Sequence, residues 1–152
     1  MDDIRQAAKR FCYALCSIDK AYYLTEKKKR LSDAELCMMY TLDDGEQHSQ
    51  IEIAEKWSVP KTTINAITNR WKENGLITQT PIPGKCRELG IRLTPSGREY
   101  VKGYLLYLYG AEEYALRKTL ERYSDTFIEA LEFFAGSLKE GLEKQARGGT
   151  DL

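Results

Sequence analysis

Six hydrogen-bonding side chains fall within the nine residues 61–69: Lys61, Thr62, Thr63, Asn65, Thr68 and Asn69, none of them acidic. Lysine, threonine and asparagine can donate to phosphate oxygens. They can also exchange hydrogen bonds with the base edges displayed in a DNA major groove. Ser49, Gln50, Arg70 and Lys72 flank the set and are candidates for phosphate contacts. Further along, the run TPIPGKCRE sets Lys85 and Arg87 beside a Pro83-Gly84 turn signal. Two cations on an exposed loop tip can reach phosphates or a minor groove.

Other chemistry finds little support. There is one histidine, His48, with no nucleophile motif near it, and no Gly-rich phosphate loop or paired metal ligands. We therefore expect no enzyme, no cofactor and no metal. The four cysteines lack metal-ligand spacing, which points to reduced thiols rather than a disulfide framework. Cys12 and Cys16 lie one helical turn apart, and Cys86 sits in the loop with Lys85 and Arg87. Helical cysteines are commonly small core hydrophobes.

The elements that must position these side chains follow from periodicity. Ser49 and Glu52 form a capping-box pattern before a short helix whose Ile51, Ile53, Ala54 and Trp57 share an apolar face. Ser58-Val59 is a tight turn, and Pro60 suits the first position of a second helix. Ile64, Ile67 and Trp71 point that helix inward, leaving the six polar residues on the opposite face, and Gly75 ends it. Leu76–Thr78 and Leu89–Leu93 read as two strands of a basic hairpin, with residues 46–48 a candidate third. This is a winged helix-turn-helix.

The rest frames it. Ile4, Ala7, Ala8, Phe11, Leu15, Ile18 and Tyr22 predict a first helix over about 3–23, and residues 26–30 a charged, solvated loop. Ser32 and Glu35 form a second capping-box pattern, with Leu36, Met39, Tyr40 and Leu42 inward and Asp43-Asp44-Gly45 as the stop. Thr94-Pro95 opens a long helix carrying Tyr100, Val101, Tyr104, Leu105 and Leu108. A last helix carries Leu120, Tyr123, Phe127, Ile128, Leu131, Phe134, Leu138 and Leu142, with the break between Lys118 and Asp125. The terminal helices hold more apolar surface than one small winged helix can cover, so a partner is expected.

The chain resembles the MarR-type (multiple antibiotic resistance) winged-helix transcriptional regulators. The matching pieces are Leu31-Ser32-Asp33-Ala34-Glu35, the PKTTIN helix start, Gly75-Leu76-Ile77, and Leu93-Thr94-Pro95-Ser96-Gly97. The resemblance implies a two-fold dimer through the terminal helices and a second helix in the major groove. It also implies a wing arginine in the minor groove, a role that falls to Arg87, seven residues before Thr94. The family's wing carries aspartate two residues before that arginine; here the position is Lys85. Some members sense hydroperoxides through a first-helix cysteine, a position that Cys12 resembles, with Tyr40 as the hydrogen-bond donor.

Charge agrees with a nucleic-acid partner. The chain is neutral overall, 23 basic against 23 acidic residues. Residues 56–102, however, hold nine Lys/Arg against three Glu, a segment charge of +6 that leaves −6 elsewhere. The N-terminus opens on Asp2-Asp3 without a secretory pattern, and the expected location is the cytoplasm, away from membranes.

The sequence thus predicts a mainly α fold with a small β-wing. Residues 1–30 form an N-terminal dimerisation helix and loop, 31–97 the winged helix-turn-helix, 98–147 the C-terminal dimerisation helices, and 148–152 a frayed tail. The expected function is that of a homodimeric, sequence-specific DNA-binding regulator, a repressor released by a small molecule, aromatic or other. Two alternatives stay open: an oxidant sensor using Cys12, and a winged-helix module that binds protein instead of DNA.

Overall fold

The computed structural model describes residues 2–29, 31–85 and 88–148. In chain order these form α1 (Asp2–Lys29), α2 (Asp33–Leu42), β1 (His48–Ser49), α3 (Gln50–Trp57) and α4 (Lys61–Glu73). There follow β2 (Ile77–Pro81), β3 (Leu89–Leu93), α5 (Pro95–Tyr123) and α6 (Thr126–Ala146). The expected loop at residues 26–30 is a correction: α1 runs on through Lys29, and Arg30 lies outside the described residues. Glutamate and lysine are good helix formers, and no glycine or proline interrupts the run. The chain divides into two compact units, residues 1–105 and 106–152, with the boundary inside α5.

The first unit holds the core. Met38, Met39, Leu42, Ile53, Ile64, Trp71, Ile91, Val101 and Leu105 are all but inaccessible to solvent. Helices α2, α3 and α4 pack on one another, and β3 joins α2 and α3. Leu36 is buried as expected, and Tyr40 is half-buried. Trp57 is a correction. It is 37% exposed, stacks on Tyr40 at 6.1 Å between ring centroids, and donates its Nε1–H to Thr41 Oγ1 at 2.7 Å. An indole with a polar edge is best served where that edge meets a hydroxyl.

The sheet is antiparallel, with β3 in the centre of the order β1-β3-β2. The third strand foreseen near residues 46–48 is His48–Ser49, pairing with Ile91 and Gly90. Pro81 lacks an N–H and sits at the end of β2, an edge strand, where that loss is tolerated. Thr94 starts α5: its Oγ1 accepts from Gly97 N at 3.0 Å and donates to Gly75 O at 2.7 Å. A Cβ on Gly97 would lie 1.8 Å from Leu76 O, so only glycine lets α5 approach the backbone just before β2 this closely. Tyr100 then meets Trp71 edge-on at 5.9 Å.

The second unit contains the rest of α5 and α6. The helix break falls at Ser124, inside the expected window, where φ of 65° turns the chain into the left-handed region. No residue of α6 is buried, and Phe133 stands 78% exposed. No described helix is long and apolar enough to cross a membrane.

Candidate nucleic-acid interface

The short helix α3 begins as the sequence requires. Ser49 Oγ accepts from Glu52 N at 3.1 Å, and Glu52 Oε2 accepts from Ser49 N at 2.8 Å. Ser58 closes α3 in the left-handed conformation, φ 53°, with Val59 N donating to Ala54 O at 3.0 Å. Pro60 is the N-cap of α4, one residue earlier than its expected first-turn place.

On α4 the buried stripe is Ile64, Ile67, Thr68 and Trp71. Lys61, Thr62, Thr63, Asn65 and Asn69 are exposed on the other side. Thr68 is a correction: it is fully buried, its hydroxyl donating to Ile64 O at 2.8 Å. A threonine that returns its hydroxyl to the preceding turn can join an apolar stripe without leaving a polar group unsatisfied. The first turn of α4 carries no acidic residue and no side-chain cap, so its unsatisfied N–H groups and positive dipole end favour an anion.

The flanking residues separate into two groups. Gln50 is half-buried and Lys72 is exposed. Ser49 is 2% exposed with its hydroxyl committed to the cap, which removes it from the phosphate contacts foreseen for it. Arg70 donates to Glu35 Oε1 of α2. Lys85 donates to Glu52 Oε1 of α3 at 2.8 Å and lies 3.4 Å from Glu88 Oε2. The hydrogen bond from Lys85, together with that from the Ser49 amide, holds the Glu52 carboxyl below the usual carboxylate value. The same bond to Glu52 pushes the Lys85 ammonium up. Arg87, the expected minor-groove residue, and Cys86 lie outside the described residues. Cys12 and Cys16 are exposed, and Cys37 is partly buried.

A second cluster lies behind α4. Desolvation, followed by the hydrogen bond with Tyr104, pushes the Tyr100 hydroxyl up to about 12. Its ring sits 5.0 Å from that of Tyr104. Glu35 and Arg70 act on the same phenol.

No family model and no curated protein matches the sequence. Solved structures do match. The MarR family regulator NMB1585 from Neisseria meningitidis superposes with a TM-score of 0.71 and 23% identity, covering 99% of this chain and 100% of that one. The chain has the MarR-type winged-helix fold. MepR of S. aureus, solved in a DNA-binding conformation, matches this MarR-type unit with a TM-score of 0.74 and 16% identity. That match covers 84% of this chain and 98% of that one. The PcaV transcriptional regulator of Streptomyces coelicolor, in complex with its natural ligand, gives 0.63 and 16%, over 82% and 91%. Within this MarR-type frame α3 and α4 are the helix-turn-helix, and β2 and β3 the wing.

Two features of the interface were missed from sequence: the partners of Arg70 and Lys85. Glu35 and Glu52 signal their capping role through the Ser-x-x-Glu spacing. The cation that each also holds lies 35 and 33 residues away, and no local pattern announces it.

Proposed function

We propose that this chain is a homodimeric, sequence-specific DNA-binding transcriptional regulator of the cytoplasm, a repressor released by a small-molecule ligand. The observation that carries the reading is the two-sided α4. One side anchors the core through Ile64, Ile67 and Trp71. The other offers Lys61, Thr62, Thr63, Asn65 and Asn69 to solvent with no carboxylate among them. In this reading those five side chains enter the major groove, Gln50 and Lys72 touch phosphates, and Arg87 reaches the minor groove. Ligand release fits a relative solved with its natural ligand and another, NadR, solved with 4-hydroxyphenylacetate. Because coupling is reciprocal, such a ligand must bind the DNA-free geometry better than the DNA-bound one.

The test is fluorescence anisotropy with duplex DNA from upstream of the chain's own gene, against a scrambled duplex over a salt series. The expected result is a preference of about a thousandfold with a steep salt dependence. Asn65→Ala should narrow that preference by weakening binding to the natural duplex more than to the scrambled one. Absence of binding to either duplex at low salt would turn the reading toward a protein-binding module.

A further inference from the structure

Both capping boxes of the first unit share one arrangement. In α2, Glu35 Oε2 accepts from the Ser32 amide at 3.2 Å and the Ser32 hydroxyl at 3.1 Å, while Oε1 takes the Arg70 guanidinium. In α3, Glu52 Oε2 accepts from the Ser49 amide at 2.8 Å, while Oε1 takes the Lys85 ammonium at 2.8 Å. Each carboxylate thus turns one oxygen to its own helix start and the other to a cation on a DNA-reading element: Arg70 near the end of α4, Lys85 at the wing tip.

The wing tip is built to present Lys85 this way. Gly84 takes φ of 79°. Lys85 N donates to Ile82 O at 3.1 Å, and Ile82 N donates to Glu88 O at 3.2 Å. Glu88 adds a second carboxylate 3.4 Å from the ammonium. Ser49, whose amide Glu52 also holds, pairs with Gly90 of β3. One carboxylate therefore ties the wing tip to the point where β1 becomes α3. A phosphate reaching for Lys85 would come to lie beside two carboxylates, Glu52 and Glu88, an arrangement that like-charge repulsion opposes.

We propose that Lys85 and Arg70 are positioning residues, through which the capping glutamates Glu52 and Glu35 hold the wing to the start of α3 and the recognition helix to α2. They are not themselves contacts to DNA. The proposal rests on the DNA-binding reading above and refines it. Exposed ion pairs are individually weak and salt-sensitive, so each lock should shift affinity by only about three- to tenfold.

The sign of one substitution separates the alternatives. Glu52→Gln keeps an oxygen for the Ser49 amide and removes a negative charge from the wing region. If Lys85 is a DNA contact, this releases the cation and binding tightens. If Lys85 is a strut, binding to the preferred duplex weakens about three- to tenfold, and Glu35→Gln behaves likewise through Arg70. Lys85→Met should weaken binding while leaving the slope of log affinity against log salt unchanged, whereas loss of a phosphate contact would flatten the slope by about 0.9. Lys85→Arg should restore affinity. Without DNA, hydrogen exchange of the β2 and β3 amides should quicken equally in Glu52→Gln, Lys85→Met and the double variant. Tighter or unchanged binding in Glu52→Gln, a flattened slope in Lys85→Met, or wild-type exchange in both overturns the proposal. If no duplex is bound by any variant, the DNA reading fails, while the exchange experiment still decides whether the lock exists.

Discussion

Helices α4 and α6 both place apolar residues at helical spacing, and they end in opposite situations. Helix α4 spends Ile64, Ile67 and Trp71 on a sealed core shared with α2 and α3, which leaves its other face available for recognition. Helix α6 carries Ile128, Leu131, Phe134, Leu138 and Leu142, and every one of them is more than a third exposed. The same periodic signal therefore marks a finished interface in one helix and an unfinished one in the other. A stripe of this kind on a water-facing helix calls for a covering surface. In the proposed regulator that surface is the second copy.

The largest effect should come from spoiling the α6 stripe. With a dimer holding two recognition helices on one site, Leu138→Asp should yield monomers in sedimentation velocity and weaken binding to the preferred duplex by about a hundredfold or more. A wild-type chain that is already monomeric at high micromolar concentration would break the contrast between the helices. The corresponding cut in α4 acts on folding. Trp71→Ala removes a side chain 1% exposed and should lower stability in urea melts by about 3–5 kcal/mol. A loss below about 1 kcal/mol would mean that the core behind α4 is not sealed.

The smallest effect sharpens the picture of that core. Tyr100 has its hydroxyl pushed from 10.0 up to about 12 in the folded state. Its folded value is raised, so its contribution to stability is complete below pH 10 and is lost as pH climbs from 10 toward 12. Phenolate absorbance should show an ionisation near pH 12 that Tyr100→Phe removes. Persistence of that ionisation in the variant would place the perturbed phenol elsewhere.

Much of the frame was legible because its determinants are local. Ser32 with Glu35 and Ser49 with Glu52 announce two helix starts at the spacing a capping box demands, and both boxes form. Ile64, Ile67 and Trp71 announce the buried stripe of α4, and Leu89–Leu93 the central strand. Thr94-Pro95 announces the start of α5, and the expected window from Lys118 to Asp125 contains the helix break at Ser124. Thr68 escaped because a threonine's type does not reveal whether its hydroxyl faces water or the turn behind it.

Local spacing and side-chain chemistry thus determined where the helices begin, which stripe of α4 is apolar and which residues stand opposite it. Only the tertiary structure decided which of the cations are committed elsewhere. Arg70 and Lys85 meet Glu35 and Glu52 across 35 and 33 residues of sequence, a proximity that packing of α2, α3, α4 and the wing creates. It decided too that Ser49 is buried within the sheet and that Gly97 must be glycine, because a backbone carbonyl from residue 76 crowds the place of its Cβ. Such facts depend on which surfaces meet in space, and spacing along one helix or strand carries no record of that.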